Sequence, residues 1–207
     1  EARRGAAAAR NCGILAARGR TIAFTDADSV VEAGWLAALV APLGDRSVGA
    51  SGGRILSCEP CNRIERFGER IHDQQRAIEL EEHPYVASGN WASRREVLLE
   101  VGLFDPALLR GQDVDLAWRI HKAGYRLVYA PDAIVRHRNE RTIRGLMHEG
   151  FVHGLHGARL LAKHGHARSR KRRRLRRALG GLVREDDLVN GVLAMLFDVG
   201  KVTGQLV

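Results

Sequence analysis

Apolar positions form two kinds of pattern over the first two thirds of the chain. Short apolar runs predict β-strands at residues 21–24, 47–56, 85–92, 126–129 and 133–136. Apolar residues at helical spacing, or an alanine-rich composition, predict helices over residues 1–18, 32–43, 94–101 and 113–123. Because strands alternate with helices, the pattern predicts an α/β fold with a mostly parallel sheet.

The pattern changes after residue 137, where helical spacing continues without further strands. We therefore predict an α/β domain at residues 1–140 and a helical tail at residues 141–207. No apolar run reaches the roughly 18–20 residues that a membrane-spanning helix requires. The apolar stretch at residues 188–197 is interrupted by Asn190, which is typical of a helix that lies on a membrane surface.

The charge of the chain is concentrated in this tail. The 207 residues carry a formal net charge of +9, and ten lysines and arginines without any acid lie between Arg159 and Arg177. The rest of the chain is therefore close to neutral. A charge of this size suggests nucleic acid or an anionic membrane as a partner. The position of the charge beside an apolar stretch favours the membrane.

The amino-acid composition excludes several classes of protein and of binding partner. With 45% hydrophobic and 28% charged residues, the chain is neither a disordered nor a collagen-like protein. Aromatic residues make up 5% and do not interleave with the basic run, so we expect no nucleic-acid partner; nucleic-acid binding through the tail stays the alternative. The three cysteines are too few for a disulfide framework. They favour a reducing compartment, which predicts a cytoplasmic protein or one peripheral on the inner face of the cell membrane.

Two carboxylates follow the first predicted strand, in the motif Asp26-Ala27-Asp28. Residues two apart in an extended segment point the same way, and the carboxyl edge of a sheet is where α/β proteins bind ligands. Such oxygen ligands suit Mg²⁺ or Mn²⁺ shared with a substrate phosphate. A solvated loop in which Asp28 caps the next helix explains the same residues, and the spacing alone leaves both interpretations open.

Two further motifs are weaker when taken alone. Asp113 lies in the predicted first turn of a helix, where it is either a general base or an acid that the helix dipole favours. Gly89 interrupts an apolar run, which indicates either the close approach of a ligand or a β-bulge.

In their order along the chain, these motifs resemble the family-2 glycosyltransferases with a GT-A-type fold. The resemblance runs from Gly5 to His137, about two thirds of the chain. The segments that carry it are residues 5–13, 22–28, 35–36, 88–90, 94–95, 101–105, 111–116 with 119, 123–125 and 135–137. It implies a GT-A-type, Rossmann-like sheet followed by the helical tail.

The resemblance implies a role for each candidate residue. Asp26-Ala27-Asp28 corresponds to the family's D-x-D motif, so Asp28 is expected to bind a divalent metal, Mg²⁺ or Mn²⁺. Asp26 is expected to face the donor's ribose or sugar, and His137 to complete the metal shell. The other residues expected to bind the donor are Arg10, Asn11, Gly89 and Asn90.

The resemblance also implies a reaction, in which a sugar passes from a nucleotide-sugar donor to an acceptor hydroxyl with inversion. Asp113 corresponds to the aspartate of the family's E-D motif and is expected to be the catalytic base, although Gln112 replaces the usual glutamate before it. The expected acceptor is a glycan or a lipid-linked molecule of cell-envelope or polysaccharide synthesis. A catalytically inactive partner that keeps the fold stays an alternative.

Family members begin with nucleotide-binding strands that precede the helix at which this sequence opens. We therefore expect an N-terminally truncated domain, and weak or no donor binding by residues 1–207 alone.

Overall fold

A computed structural model describes residues 5–165 and 185–205. The chain divides into two compact units, one of residues 1–60 and 68–139 and the other of residues 61–67 and 140–207. The strands are β1 (Thr21–Thr25), β2 (Ser29–Val31), β3 (Val48–Ser57), β4 (Asn90–Arg94) and β5 (Arg126–His137). The helices are α1 (Ala6–Ala16), α2 (Trp35–Val40), α3 (Arg63–Ile71), α4 (Gln74–Glu79), α5 (Arg95–Glu100), α6 (Gln112–Lys122), α7 (Ile143–Lys163) and α8 (Glu185–Gln205), with a 3₁₀ turn at Ala41–Gly44.

The five strands of the described residues form one sheet in the order β1-β4-β3-β5-β2. The α/β class is confirmed, but the expectation of mostly parallel neighbours is wrong. Of the four neighbouring pairs, β3 and β5 are parallel and the other three are antiparallel. The reason is that two strands run opposite to the other three. Strand β4 inserts between β1 and β3 in the opposite direction, so that Trp91 lies opposite both Phe24 and Gly52, and β2 pairs in the opposite direction with β5.

Several element boundaries also differ from the predicted ones. The two short strands expected at 126–129 and 133–136 are a single strand, β5, whose register against β3 shifts between Gly53 and Arg54. That shift accommodates Pro131, which has no amide hydrogen for a regular ladder. Residues 85–89 belong to no strand, and β4 starts at Asn90. The helix expected at 32–43 becomes a short helix and a 3₁₀ turn at Pro42.

Apolar residues cover both faces of the sheet because successive side chains of a strand point to opposite sides. On one face, Trp91 is fully buried and stacks on Phe24 with ring centroids 5.1 Å apart, while Phe104 meets it edge to face at 5.9 Å. On the other face, the neighbouring Ala92 packs with Leu39. This core holds the strand ends, and the loops that follow them, in fixed positions.

The second unit contains α7 and α8, two helices of 21 residues each. Their backbones approach closely at glycines, since a Cβ atom added to Gly150 would lie 2.2 Å from the Phe197 carbonyl oxygen. The basic run at residues 168–177 lies outside the described residues. In the described part of the chain, no helix combines the length and the apolar character needed to cross a membrane.

Candidate functional site

Asp26, Asp28 and His137 come together at one end of the sheet. The two aspartates follow β1, and β2 then pairs with β5 so that Ser29 lies opposite His137. This register brings Asp28 next to the histidine, and one ligand atom from each of the three side chains lies within 4.8 Å of the others. No second group of three such side chains occurs within residues 5–165 and 185–205.

The imidazole of His137 is oriented by Asn139. The Asn139 amide donates from Nδ2 to the Ser57 hydroxyl at 2.9 Å, so its Oδ1 faces the His137 Nδ1 at 3.0 Å and accepts from it. The other ring nitrogen, Nε2, then faces the Asp28 carboxylate at 3.5 Å. A histidine that donates one N–H to an oxygen presents its other nitrogen as a metal ligand. Two carboxylates and this nitrogen are a donor set that fits Mg²⁺ or Mn²⁺.

The space for Asn139 is provided by Gly68 of α3. A Cβ atom at residue 68 would lie 2.2 Å from the Asn139 Cγ, far inside van der Waals contact. A side chain there would displace the amide that orients His137. Gly68 therefore belongs to the site because its lack of a side chain leaves space for the Asn139 amide.

Arg10 links the aspartates to helix α6. Its guanidinium, with 23% of the side chain exposed, donates to Asp26 Oδ1 at 3.3 Å, Ser88 Oγ at 3.0 Å and Gln112 Oε1 at 3.0 Å. It also lies over the Phe104 ring, 5.6 Å from the centroid. A planar guanidinium with its donors fixed in this way is a rigid cationic group at the edge of the site.

The turn at Ser88-Gly89 connects the same region to Asp113. The Ser88 amide donates to Asp113 Oδ2 at 2.8 Å, and its hydroxyl accepts from Arg10. Gly89 packs against Asp26, because a Cβ atom there would lie 3.0 Å from Asp26 Oδ2. The turn thus contacts the predicted base Asp113, Asp26 and Arg10 at once.

Asp113 lies in the first turn of α6, where the helix dipole favours a carboxylate. Its second oxygen accepts the Val114 amide at 2.9 Å, so both oxygens are held by backbone N–H groups. The helix is anchored two residues later by Asp115, which is fully buried and pairs with Arg119 at 2.8 Å. The predicted base is therefore fixed in position.

Two of the residues expected to bind the donor support the scaffold. The Asn11 amide exchanges two hydrogen bonds with the Phe104 backbone, at 2.8 and 2.9 Å. The Asn90 amide is fully buried; it accepts from the Trp35 indole at 2.8 Å and donates to the carbonyls of Arg54 and Ala133. A donor contact by either side chain stays a prediction, because both amides are occupied by protein partners here.

Sequence reasoning missed four residues of the site: Ser88 as a bridge, Gln112 as the Arg10 partner, Asn139 as the support of His137 and Gly68 as the space for Asn139. Ser88 and Gln112 each adjoin a predicted residue, which is a usable sequence signal. Asn139 follows His137 by two residues, but no periodicity distinguishes it from other polar residues nearby.

Comparisons with known proteins identify relatives of this chain. Residues 1–102 match the family model described as Glycosyl transferase family 2. The pre-mycofactocin glycosyltransferase of Mycobacterium tuberculosis is 33% identical over 168 residues, which cover 78% of this chain. The chain spans 36% of the length of that relative.

Solved structures share the fold. A mannosyltransferase from Pyrobaculum calidifontis, solved with GDP-mannose and Mn²⁺, superposes with a TM-score of 0.58 at 21% identity, over 99% of this chain and 67% of that one. Glucosyl-3-phosphoglycerate synthase from Mycobacterium tuberculosis, solved with Mn²⁺, UDP-glucose and phosphoglyceric acid, gives a TM-score of 0.51 at 22% identity, over 79% of this chain and 56% of that one. The expected GT-A-type fold is confirmed by these likenesses. The family match and the sequence relative show that residues 1–102 carry a domain of glycosyl transferase family 2.

Proposed function

We propose that the protein transfers a sugar from a nucleotide-sugar donor to an acceptor hydroxyl, with inversion at the anomeric carbon and with a divalent cation. One observation carries this proposal. The cluster of Asp26, Asp28 and His137 is joined to the carboxylate of Asp113 through Arg10 and the Ser88 turn. Cation ligands and a fixed carboxylate in one connected site are what such a reaction requires.

Asp28 and His137 would hold Mg²⁺ or Mn²⁺, with Asp26 beside them. The bound cation supplies positive charge against a diphosphate leaving group. Arg10 supplies a second positive charge in the same place, since it already contacts Asp26 Oδ1 at 3.3 Å. With the cation bound, Asp26 would keep Arg10 on its Oδ1 and would offer its other oxygen to a ribose or sugar hydroxyl.

Asp113 accepts the proton of the acceptor hydroxyl as the acceptor oxygen bonds to the anomeric carbon. The bond from that carbon to the diphosphate oxygen breaks, and the bonding electrons leave with the diphosphate. A single displacement from the opposite face inverts the configuration, and no covalent sugar–enzyme intermediate is formed. The two backbone N–H groups on Asp113 keep its carboxylate in one orientation for this step.

The donors to test follow from the solved neighbours, and the acceptors follow from the family resemblance. The solved neighbours bind GDP-mannose and UDP-glucose, so uridine and guanosine diphosphate sugars form the first set of donors. Glycans and lipid-linked hydroxyls of cell-envelope or polysaccharide synthesis form the first set of acceptors.

The test is a transfer assay on the intact protein with these donors, with and without added Mn²⁺. We expect a product whose new anomeric configuration, read by NMR, is opposite to that of the donor, and a loss of transfer when EDTA is added. A retained configuration contradicts the single displacement. Undiminished transfer in EDTA contradicts the role of the cation, and no transfer with any donor favours an inactive partner that keeps the fold.

We further propose that the second unit holds the protein on an anionic membrane surface. Helix α8 exposes Val192, Met195 and Val199, with 41%, 50% and 45% of each residue accessible. They recur at helical spacing in a helix that follows the basic run of residues 168–177 in the sequence. An apolar helix face next to several cations is typical of a peripheral membrane segment.

Vesicle flotation tests the membrane proposal directly. We expect flotation with vesicles that contain phosphatidylglycerol, much weaker flotation with neutral vesicles, and a loss of binding in Met195→Glu. A DNA gel shift at physiological salt, without flotation, would instead support the nucleic-acid alternative.

A further inference from the structure

Gln74, the first residue of α4, is a buried polar side chain with 2% of the residue exposed. Its Oε1 accepts the Ala87 amide at 2.8 Å, and its Nε2 donates to the carbonyls of Asn90 at 2.7 Å and Ala87 at 3.4 Å. The Gln74 side-chain amide therefore forms hydrogen bonds at both ends of the turn that carries Ser88 and Gly89.

The backbone of this turn requires hydrogen-bond partners from outside the sheet. Residues 85–89 belong to no strand, so their backbone groups lack a ladder of strand hydrogen bonds. Backbone N–H and C=O groups shielded from water require partners, and the Gln74 amide supplies them for the N–H of half-buried Ala87 and for the carbonyl of buried Asn90. The Ala87 carbonyl also accepts the Asn90 amide at 3.3 Å. Gly52 of β3 leaves the necessary room, because a Cβ atom there would lie 3.0 Å from Gln74 Oε1.

The Ser88-Gly89 turn contacts three residues of the proposed site. Its Ser88 amide holds Asp113 Oδ2, its Ser88 hydroxyl meets Arg10, and Gly89 packs on Asp26. A chain of direct contacts therefore runs from Gln74 through the turn to the base.

We infer that Gln74 is a positioning residue for the transfer reaction, which fixes the Ser88-Gly89 turn and through it the carboxylate of Asp113. This inference rests on the proposed glycosyl transfer. It assigns a role in the reaction to α4, a helix outside the motifs that carry the family resemblance.

The substitution Gln74→Met in the intact protein tests it, since Met keeps the length of the side chain without its hydrogen bonds. Gln75→Met is the matched control: Gln75 is the next residue of the same helix, is exposed, and bonds to Glu79 at 3.0 Å. The kcat values are normalised to the number of Mn²⁺ sites measured by calorimetry, so that misfolded protein is not counted.

We expect kcat of Gln74→Met to fall by at least about tenfold, as a small displacement of a catalytic group does. The Kd for Mn²⁺ should stay within about twofold of wild type, because its ligands are held by β1 and β5 instead. Amide exchange at Ala87 and Ser88 should accelerate by at least about tenfold, while exchange in β3 is unchanged. Gln75→Met should match the wild type in all of these measurements.

Wild-type kcat in folded Gln74→Met overturns the inference, and so does a loss of kcat that disappears after normalisation to Mn²⁺ sites. If Gln74→Met does not fold, Gln74→Glu decides, since it keeps the acceptor for the Ala87 amide and removes both donated bonds. A normalised kcat reduced by at least about threefold then supports the role, and an unchanged one overturns it. Absence of transfer in the wild type would contradict the proposed function itself. Faster amide exchange at Ala87 in Gln74→Met would still show that Gln74 holds the turn.

Discussion

Replacing Asn139 by leucine tests how the fold prepares His137 for a cation. Leucine has nearly the same volume but can neither accept from His137 Nδ1, now at 3.0 Å, nor donate to Ser57, now at 2.9 Å. The imidazole then loses the hydrogen bond that turns Nε2 toward Asp28. A metal ligand without such support binds its ion more weakly.

The expected loss of Mn²⁺ affinity follows from the lost hydrogen bond to His137. A net contribution of about 1.4 kcal/mol corresponds to roughly a tenfold increase in the Kd for Mn²⁺. Loss of an outer partner of a ligating histidine typically weakens binding by about 10–100-fold, so tenfold is the lower bound. Isothermal titration of the intact protein with Mn²⁺ at neutral pH measures the change without requiring turnover.

Two further variants separate this cause from general damage. Gly68→Ala leaves Asn139 in the sequence but places a methyl group 2.2 Å from its Cγ, so it should weaken Mn²⁺ binding to a similar extent. Asn139→Asp keeps an oxygen toward His137 Nδ1 and should bind Mn²⁺ at least as tightly as the wild type. Wild-type affinity in folded Asn139→Leu would refute the argument that this contact prepares the histidine.

Three other changes have definite expected outcomes. Trp91→Ala removes a fully buried ring and should lower the free energy of unfolding by about 3–5 kcal/mol, as measured by urea denaturation. Arg10→Leu removes the guanidinium that pairs with Asp26 and should lower kcat/KM for the donor by about 10–100-fold in steady-state assays. The pKa of Glu65 is lowered, first by the hydrogen bond from the Cys61 amide and then by Arg141. Its carboxylate therefore stabilises the fold at neutral pH. This contribution is lost as the pH falls through the lowered pKa. Thermal denaturation of Glu65→Gln in steps of acid pH should show a smaller loss of stability than the wild type shows.

Asp26, Asp28 and Asp113 occupy the positions in the fold that local sequence patterns predict, and their proposed roles stay predictions. Asp26 and Asp28 end a short apolar run, and two residues of spacing are enough to place both at one sheet edge. Asp113 lies in the first turn of a helix whose period is visible in the sequence. For such residues the local pattern and the final position are set by the same few neighbours.

Residues whose roles depend on distant partners were beyond this reasoning. Asn90 meets carbonyls of two other strands, and Asn11 meets a backbone segment 93 residues away. An amide has the same appearance in a sequence whether it faces a ligand or closes a backbone gap. Gln74 and Asn139 were missed for the same reason.

The direction of β4 was also outside the reach of pattern reasoning. Alternation of strands and helices predicts parallel neighbours when each strand pairs with the next one along the chain. Here β4 pairs with β1 and β3, and the irregular segment before it lets the chain enter the sheet in the opposite direction. Hydrophobic spacing is the same for a parallel and an antiparallel strand, so it carried no information on this point.

The central claim is that Asp113 removes the acceptor proton beside a cation site that it does not itself build. It is tested most directly by Asp113→Asn in the intact protein, with the transfer rate and the Mn²⁺ affinity measured on the same sample. We predict that transfer falls by about 10²–10⁴-fold, the usual contribution of a general base, while the Kd for Mn²⁺ is unchanged. Transfer at the wild-type rate by this variant would contradict the role of Asp113 as the base.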